Sequence, residues 1–307
     1  MSAEEVLFYN VENLFLPDFE FHKREIPSSN SGLKNWNKKR YEAKLKSLEK
    51  VFLWIKQQNG QLPFLVGLCE VQGIQPLQDL AALETFEHRY RIVHYKGKDE
   101  RGMDVALLYD SSKIQILSSE SIAYTFEESV EKHTRDVLYC KLKFNTWGIN
   151  VFVLHLPSKR DSDSNRNKRI HILKDLQQRI AMLPKEEATI VMGDFNQNPS
   201  EGFLKDFLQS GSSVLFNPFV RLFKERQFST FHGRLGLLFD QMILSPHFLS
   251  EEYSLQFEKA AVFNDPRLSS GIKSHRGRPF RTYAGTRYLG GISDHYPVLV
   301  KLKKKIN

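Results

Sequence analysis

The sequence predicts an α/β (α+β) fold in which helices cover β-sheets, on three observations. Short apolar runs rich in β-branched and aromatic residues recur along the whole chain. Amphipathic helical stretches lie between them. Over 307 residues, 41% are hydrophobic and 26% charged, which supports a sizeable core and is far from the composition of a disordered chain.

The strand candidates are VLFYNV at the start, FLVGLCEV around Cys69, RIVHY, DVALLYD, DVLYCKL, INVFVLHL, ATIVMGDF, LFDQMILS and YPVLVKL. They number about nine, with no internal repeat. Residues 38–57 and 166–183 place apolar side chains near i, i+3, i+4 and i+7 with charges opposite, so each helix should lay one face on a sheet. Residues 157–169 are polar and rich in Ser, Asn and basic groups, and residues 268–291 hold five Lys/Arg, five glycines and no acid. Both segments read as exposed loops, either binding a ligand or simply solvated. Nothing marks a linker, so residues 1–307 read as a single domain.

Lys plus Arg outnumber Asp plus Glu by 44 to 36, a net charge of +8. That balance suits an anionic partner, and it equally suits a merely soluble basic surface. Cys69 and Cys140 each stand alone in a strand-like run, which is neither a disulfide framework nor a zinc spacing. The start MSAEEVLFYN lacks a basic segment followed by an apolar one, and no run reaches the ~18 apolar residues of a membrane span. A cytoplasmic protein is expected, with secretion open for a chain from which a leader has been removed.

The stretch VMGDFNQNP brings a strand to its end at Gly193, followed by Asp194 and Asn196. Period-two alternation would project both side chains to one side. Alone, this could be a turn-capping pair. GISDHYPVLV places Asp294 and His295 in a polar turn directly before another strand. Glu70 ends FLVGLCE, and Asp240 interrupts LGLLFDQMILS. A carboxylate inside an apolar run is costly unless it is paired, hydrogen-bonded or metal-bound. Taken singly, each of these, like His155 in INVFVLHLPSK, reads as a structural partner as readily as a functional one.

Together, FYNVEN, LCEV, VFVLHLPS, GDFNQNP, LFDQMILS and SDHYPV, in this order from residue 8 to about 302, resemble the endonuclease/exonuclease/phosphatase superfamily of metal-dependent phosphoesterases. The resemblance implies a four-layer sandwich of two packed mixed β-sheets flanked by helices. It implies Mg²⁺, with Mn²⁺ as a substitute, held by Glu70 as principal ligand with Asn10 and Asp294; such an all-oxygen set suits those ions. His295, oriented by Asp240, would act at the attacking water as base or electrostatic partner. Asp194 would position the nucleophile or handle a proton, Asn196 would donate to a phosphate oxygen, and His155 would approach from the opposite side. Arg135 in KHTRDVLYC matches a phosphate-contacting arginine of deoxyribonuclease-like members, though a surface arginine before a strand is commonplace. Asp104 is a candidate partner for His155, and Asn13 a further candidate beside Asn10.

An inositol-polyphosphate phosphatase would carry a Trp-Cys-Asp-Arg-like segment where this chain has Leu238-Phe239-Asp240-Gln241, and an arginine where it has Tyr296. SDHYP is instead similar to deoxyribonuclease-like members. The expected activity is metal-dependent phosphodiester hydrolysis of DNA or RNA. The alternatives are a phosphatase or phosphodiesterase acting on a phosphorylated lipid or small molecule, and a non-catalytic nucleic-acid scaffold. The aromatic residues Tyr283, Tyr288 and Phe280, among Arg278, Arg281 and Arg287, could stack on unpaired bases or pack the loop onto the domain. No protein partner is inferred, and a monomer is expected.

Overall fold

A computed structural model describes residues 3–17, 33–99, 101–127, 132–159, 163–209, 214–271 and 276–305. In chain order the elements are β1 (Ala3–Leu14), α1 (Lys38–Asn59), β2 (Leu65–Val71), α2 (Ile74–Ala81), β3 (Tyr90–His94), β4 (Asp104–Asp110), β5 (Ile114–Ile122), β6 (Val137–Phe144), β7 (Trp147–His155) and α3 (Arg166–Ala181). They continue with β8 (Ala188–Asp194), α4 (Gly202–Gln209), α5 (Phe219–Lys224), β9 (Thr230–His232), β10 (Leu235–Leu237), β11 (Asp240–Leu244), β12 (Leu255–Val262), β13 (Tyr283–Ala284), β14 (Arg287–Tyr288) and β15 (Val298–Lys304).

Two mixed sheets result. One has six strands in the order β12-β15-β1-β2-β4-β3, the other five in the order β11-β8-β7-β6-β5. Strands β1, β2 and β4 face β7 and β8 across the interior. The two-residue period decides which side chain goes where. On β7 and β8, Val151, Val153, Ile190 and Met192 enter the central core, and Leu48, Val51, Phe52 and Ile55 of α1 join the same continuous apolar cluster from the β1 side. Their neighbours Phe152, Leu154 and Val191 point the other way, onto Ile172, Leu173 and Leu176 of α3 and Leu204 and Phe207 of α4. Helix, sheet, sheet and helix thus form the four layers expected.

All nine predicted runs are strands. The two long strands that the sequence pattern misses, β5 and β12, are both edge strands, whose partly exposed faces carry Ser, Glu and Lys rather than an apolar alternation. The segment 157–169 departs from its expected exposure. Arg169, at 0% exposure, is buried, donates to the Pro157 carbonyl at 2.9 Å and pairs with Asp163; residues 160–162 lie outside the described residues. Residues 268–291 contain the β13–β14 hairpin, and residues 272–275 lie outside the described residues.

Gly193 lets β7 and β8 close up directly under the site. A Cβ there would lie 2.2 Å from the Leu154 carbonyl oxygen, and backbone cannot move aside cheaply. Gly193→Ala is therefore expected to lower stability by about 1–3 kcal/mol, the scale of overpacking, read as an earlier urea midpoint at unchanged m-value.

Candidate active site

Strands β1 and β2 run parallel, as do β7 and β8. Their C-terminal ends carry Asn10, Glu70, His155 and Asp194. Strand β11 is antiparallel to β8 and begins with Asp240 opposite Asp194. The turn bearing Asp294 and His295 leads into β15, which pairs with β1. Across the two sheets, Asn10 Nδ2 donates to Asp194 Oδ2 at 3.2 Å.

The backbone here is not regular strand. Glu12, Asn13 and Glu70 have φ of 48°, 54° and 62°, and the β1–β2 register shifts between Asn10 and Leu14. A left-handed conformation costs a non-glycine residue roughly 1–2 kcal/mol, and such bulges re-aim side chains next to active sites. Hydrogen bonds hold this one: Glu70 accepts from Asn10 Nδ2 at 3.1 Å and from the Asn13 backbone N–H at 3.1 Å. The Asn10 amide oxygen accepts from the Glu12 N–H at 3.0 Å, so its nitrogen must be the atom facing the two carboxylates. Asn10 thus grips Glu70 and Asp194 rather than presenting its oxygen.

The chain turns sharply after Asp194. Asn196 has φ 48° and its N–H donates to Asp194 Oδ1 at 2.9 Å, a side-chain-closed turn rather than the extended alternation expected from the sequence. Asn196 Nδ2 donates to the Leu156 carbonyl at 2.9 Å. Arg135 donates to the same carbonyl at 3.0 Å. At 5% exposure Arg135 is no surface group, and its guanidinium lies 3.7 Å from Asp99.

His155 Nε2 stands 3.7 Å from Asp194 Oδ2, while its Nδ1 is buried without a hydrogen-bond partner. Burial first, then the nearby Arg135 and Arg101, holds the His155 ring well below its ordinary pKa, so it is neutral. The expected Asp104–His155 pair is corrected: Asp104 Oδ2 lies 3.0 Å from His94 Nε2, and Asp104 Oδ1 accepts from the Gly97 N–H at 2.9 Å.

His295 Nδ1 lies 2.6 Å from Asp240 Oδ2, and that oxygen also accepts from Ser229 Oγ at 2.5 Å. Burial opposes charge on His295, but Asp240, by its charge and its hydrogen bond, together with Asp294 and Asp194, outweighs burial and holds its pKa well above the ordinary value. Asp194 is displaced the other way: burial, with Asp240 close by, pushes its carboxyl up to about 7. Burial would raise Asp294 too, but His295, Arg281 and Lys44 prevail and hold it below its usual value. Arg281 donates to Asp294 Oδ2 at 2.5 Å.

Several supporting residues escaped sequence reasoning. Ser293 donates to the Asn10 carbonyl at 2.7 Å and accepts the His295 N–H at 3.1 Å, and its place in ISDH was the available signal. Ser229 in FSTFH carried none. Glu12 and the buried Lys44 meet at Thr282: the carboxylate accepts the Thr282 N–H at 2.6 Å and the ammonium donates to Thr282 Oγ1 at 2.7 Å. Burial, followed by Asp294, pushes Glu12 up to about 7, and burial brings Lys44 down to about 8.

The donor set fits a hard divalent cation. Asn10 joins Glu70 to Asp194, His295 stands 3.9 Å from both Asp194 and Asp294, and Asp240 Oδ1 is buried with no hydrogen-bond partner. Among the described residues, Asp194, Asp240 and His295 bring ligand atoms within 4.8 Å of one another, a possible metal site. The Asp240–His295 hydrogen bond uses Oδ2 and Nδ1, which leaves Asp240 Oδ1 and His295 Nε2 as the pair's other two ligand atoms. Glu70 adds a further carboxylate at the strand ends that suits an oxygen-preferring ion, and Asp294 is engaged by Arg281.

The chain has the fold of humanized Danio rerio TDP2, at 17% identity and TM-score 0.63, with 99% of this chain and 100% of that one covered. It also has that of a mannosyl-6-phosphatase from Bacteroides thetaiotaomicron, at 17% identity and TM-score 0.61 over 98% and 99%, and of the human Nocturnin catalytic domain with bound sulfate, at 16% identity and TM-score 0.61 over 99% and 94%. No curated protein matches it in sequence. The sequence pattern of the Endonuclease/Exonuclease/phosphatase family matches residues 5–304, and this chain belongs to that family of phosphoester hydrolases.

Proposed function

We propose that the chain, as one domain over residues 1–307, is a Mg²⁺-dependent phosphodiesterase that cleaves nucleic acid, with Mn²⁺ as a substitute. The observation that carries the reading is the pair of displaced acids and bases at the strand ends: a carboxyl at Asp194 raised to about 7 beside an imidazolium at His295 held by Asp240. Environments that push two titrating groups apart assign their roles.

Asp194, poised near neutrality, takes the proton of the attacking water. His295, kept cationic by Asp240, faces the charge that develops on the phosphoryl oxygens. Asn196 Nδ2 spends one N–H on Leu156 and keeps its second for a phosphate oxygen, and neutral His155 approaches from the other side of Asp194. Arg135, bound to Leu156, steadies the carbonyl on which Asn196 rests. Glu70, oriented by Asn10, would hold the cation with Asp294. When bound, the ion would neutralise phosphoryl oxygens and stabilise the leaving oxygen.

Two features favour nucleic acid over a phosphoinositide. The position after the Asp-His pair is Tyr296, buried and hydrogen-bonded to Ser269 at 2.5 Å, not an arginine facing substrate. A further structure of this fold is Danio rerio TDP2 with a single-strand DNA product. The test is a panel of plasmid DNA, single-stranded DNA, RNA, phosphoinositides and sphingomyelin, with Mg²⁺ and with chelator. Nucleic-acid cleavage that chelator abolishes is expected; lipid phosphate release with every nucleic acid intact would overturn it.

A further inference from the structure

We propose that the cleft beside Asp294, between the β9–β10 and β13–β14 hairpins, binds a single unpaired nucleotide, its base against Phe231 and Phe280 and its phosphate among Arg278, Arg281 and Arg287. This deepens the nucleic-acid reading of the same site and rests on it for the link to hydrolysis. The cleft has a volume of about 370 Å³ and ends at Asp294. That is the low end of small-ligand pockets, roughly 300–1,000 Å³. It has room for one nucleotide and none for a stacked duplex, so a base must arrive from a single strand or leave its stack.

Its lining combines two chemistries. Phe231, Phe280 and Leu289, all half-buried, give an apolar wall, and an aromatic face stacks on any base. Three guanidiniums share the cleft. Arg281 is tied to Asp294, whereas Arg278 and Arg287 have no carboxylate partner among the described residues. The Arg278 guanidinium lies 5.9 Å from the centre of the Phe231 ring. Asp294 is the carboxylate in the lining and is paired with Arg281, so Arg278 and Arg287 leave the cleft net positive, which favours an anion.

The cleft is rigidly built. Thr230 of β9 bridges to His295 and donates to the Asp294 carbonyl at 2.9 Å, fixing the first hairpin to the catalytic turn. The second hairpin stands on the buried Glu12 and Lys44, which hold Thr282. Gly291 brings the chain onto the backbone of Phe280: a Cβ at Gly291 would lie 2.0 Å from the Phe280 carbonyl oxygen, which instead accepts from the Ile292 N–H at 2.6 Å. A preorganised cleft loses little conformational freedom on binding.

Direct binding tests this without any turnover. Full-length chain in chelator is titrated calorimetrically with a 5′-mononucleotide, ribose 5-phosphate and inorganic phosphate. The nucleotide is expected to bind at least about tenfold tighter than ribose 5-phosphate, the scale of one base–aromatic contact. Phe231→Leu, which keeps apolar bulk, should erase that difference, and the double variant Arg278→Ala/Arg287→Ala should weaken nucleotide and ribose phosphate alike by about tenfold or more. Equal binding of nucleotide and ribose phosphate, no binding of either, or variants that bind as the parent does would each overturn the proposal. A chain that binds nucleotide with this pattern yet cleaves no phosphoester would overturn the hydrolase reading and leave the subsite standing.

Discussion

Replacing Glu70 by glutamine is expected to lower metal-supported phosphoester hydrolysis by about 10³-fold, the scale of losing one preorganised charge at the reacting centre. The side chain keeps its length, but the native carboxylate engages Asn10 through Oε1 and the Asn13 N–H through Oε2, at 3.1 Å each, and an amide has one acceptor oxygen, so glutamine keeps one of the two bonds. The Asn10 amide oxygen still accepts from the Glu12 N–H, so the bulge that places residue 70 should survive with the loss of the charge and one hydrogen bond. That separates the chemical role from folding. Glu70 shares its site with the carboxylates of Asp194, Asp240 and Asp294, so removing one negative charge relieves repulsion in chelator. That relief offsets the lost hydrogen bond, about 1 kcal/mol, and the variant should melt close to the parent there.

With Mg²⁺ the order should reverse. At a hundredfold excess over Kd a bound ion stabilises the native chain by about 2.7 kcal/mol, and the parent should gain that increment while Glu70→Gln gains little of it. Scanning both proteins with and without Mg²⁺ reads the difference. An undiminished Mg²⁺ shift in Glu70→Gln would remove Glu70 from the ion and point to Asp194 and Asp240, the pair grouped with His295.

What the sequence made legible follows from where each signal resides. Strands buried on both faces, such as β1 and β8, announce themselves as apolar runs, and the acids that interrupt or end such runs, Glu70, Asp194 and Asp240, stand out because burial makes them costly. Edge strands carry no such contrast, which is why β5 and β12 went unread. Asn196 was found for a partly mistaken reason: alternation put it beside Asp194, but a left-handed turn does so. Arg135 reads in the sequence as a candidate phosphate contact or a surface arginine, and neither reading reveals its carbonyl and carboxylate partners, which lie 21 and 36 residues away in sequence, as Leu156 and Asp99.

Asp104 illustrates the other kind of failure. His94 pairs in register with Ala106, which makes Asp104 its diagonal cross-strand neighbour, while His155 belongs to the opposite sheet. Recognising this requires knowing that β3 and β4 are adjacent, and nothing local in either run says so. Ser229 and Lys44 are harder still, since each owes its role to a buried acceptor that its own run does not show: Asp240, 11 residues on, and Thr282, 238 residues on. Sequence pattern reports burial and period; partners come from topology.

The His295–Asp240 pair is where topology and chemistry are tested together. Asp240→Asn keeps the shape of the side chain but withdraws the charge that raises His295. Turnover should fall by about 10²–10⁴-fold, the range for a displaced acid–base or orienting group, and the pH profile should move in a definite direction. In the parent, activity needs Asp194 ionised and His295 protonated, so the rate falls at low pH as Asp194 takes up a proton, and at high pH as His295 loses one. Asp194 stands at about 7 before a cation draws it lower. His295 is held well above its ordinary value, against burial, chiefly by Asp240, so the alkaline limb lies far from neutrality.

With asparagine at position 240, burial acts on His295 with much less opposition and the alkaline limb should shift toward lower pH by at least about one unit. The acid limb, relieved of the neighbouring charge of Asp240 on Asp194, should also move down rather than up. Rate–pH profiles of parent and variant, taken at saturating Mg²⁺, measure both limbs. If His295 instead worked as a neutral base, the same substitution would extend activity toward acid, with rate rising with pH through the His295 titration. The sign of that limb decides between imidazolium and imidazole.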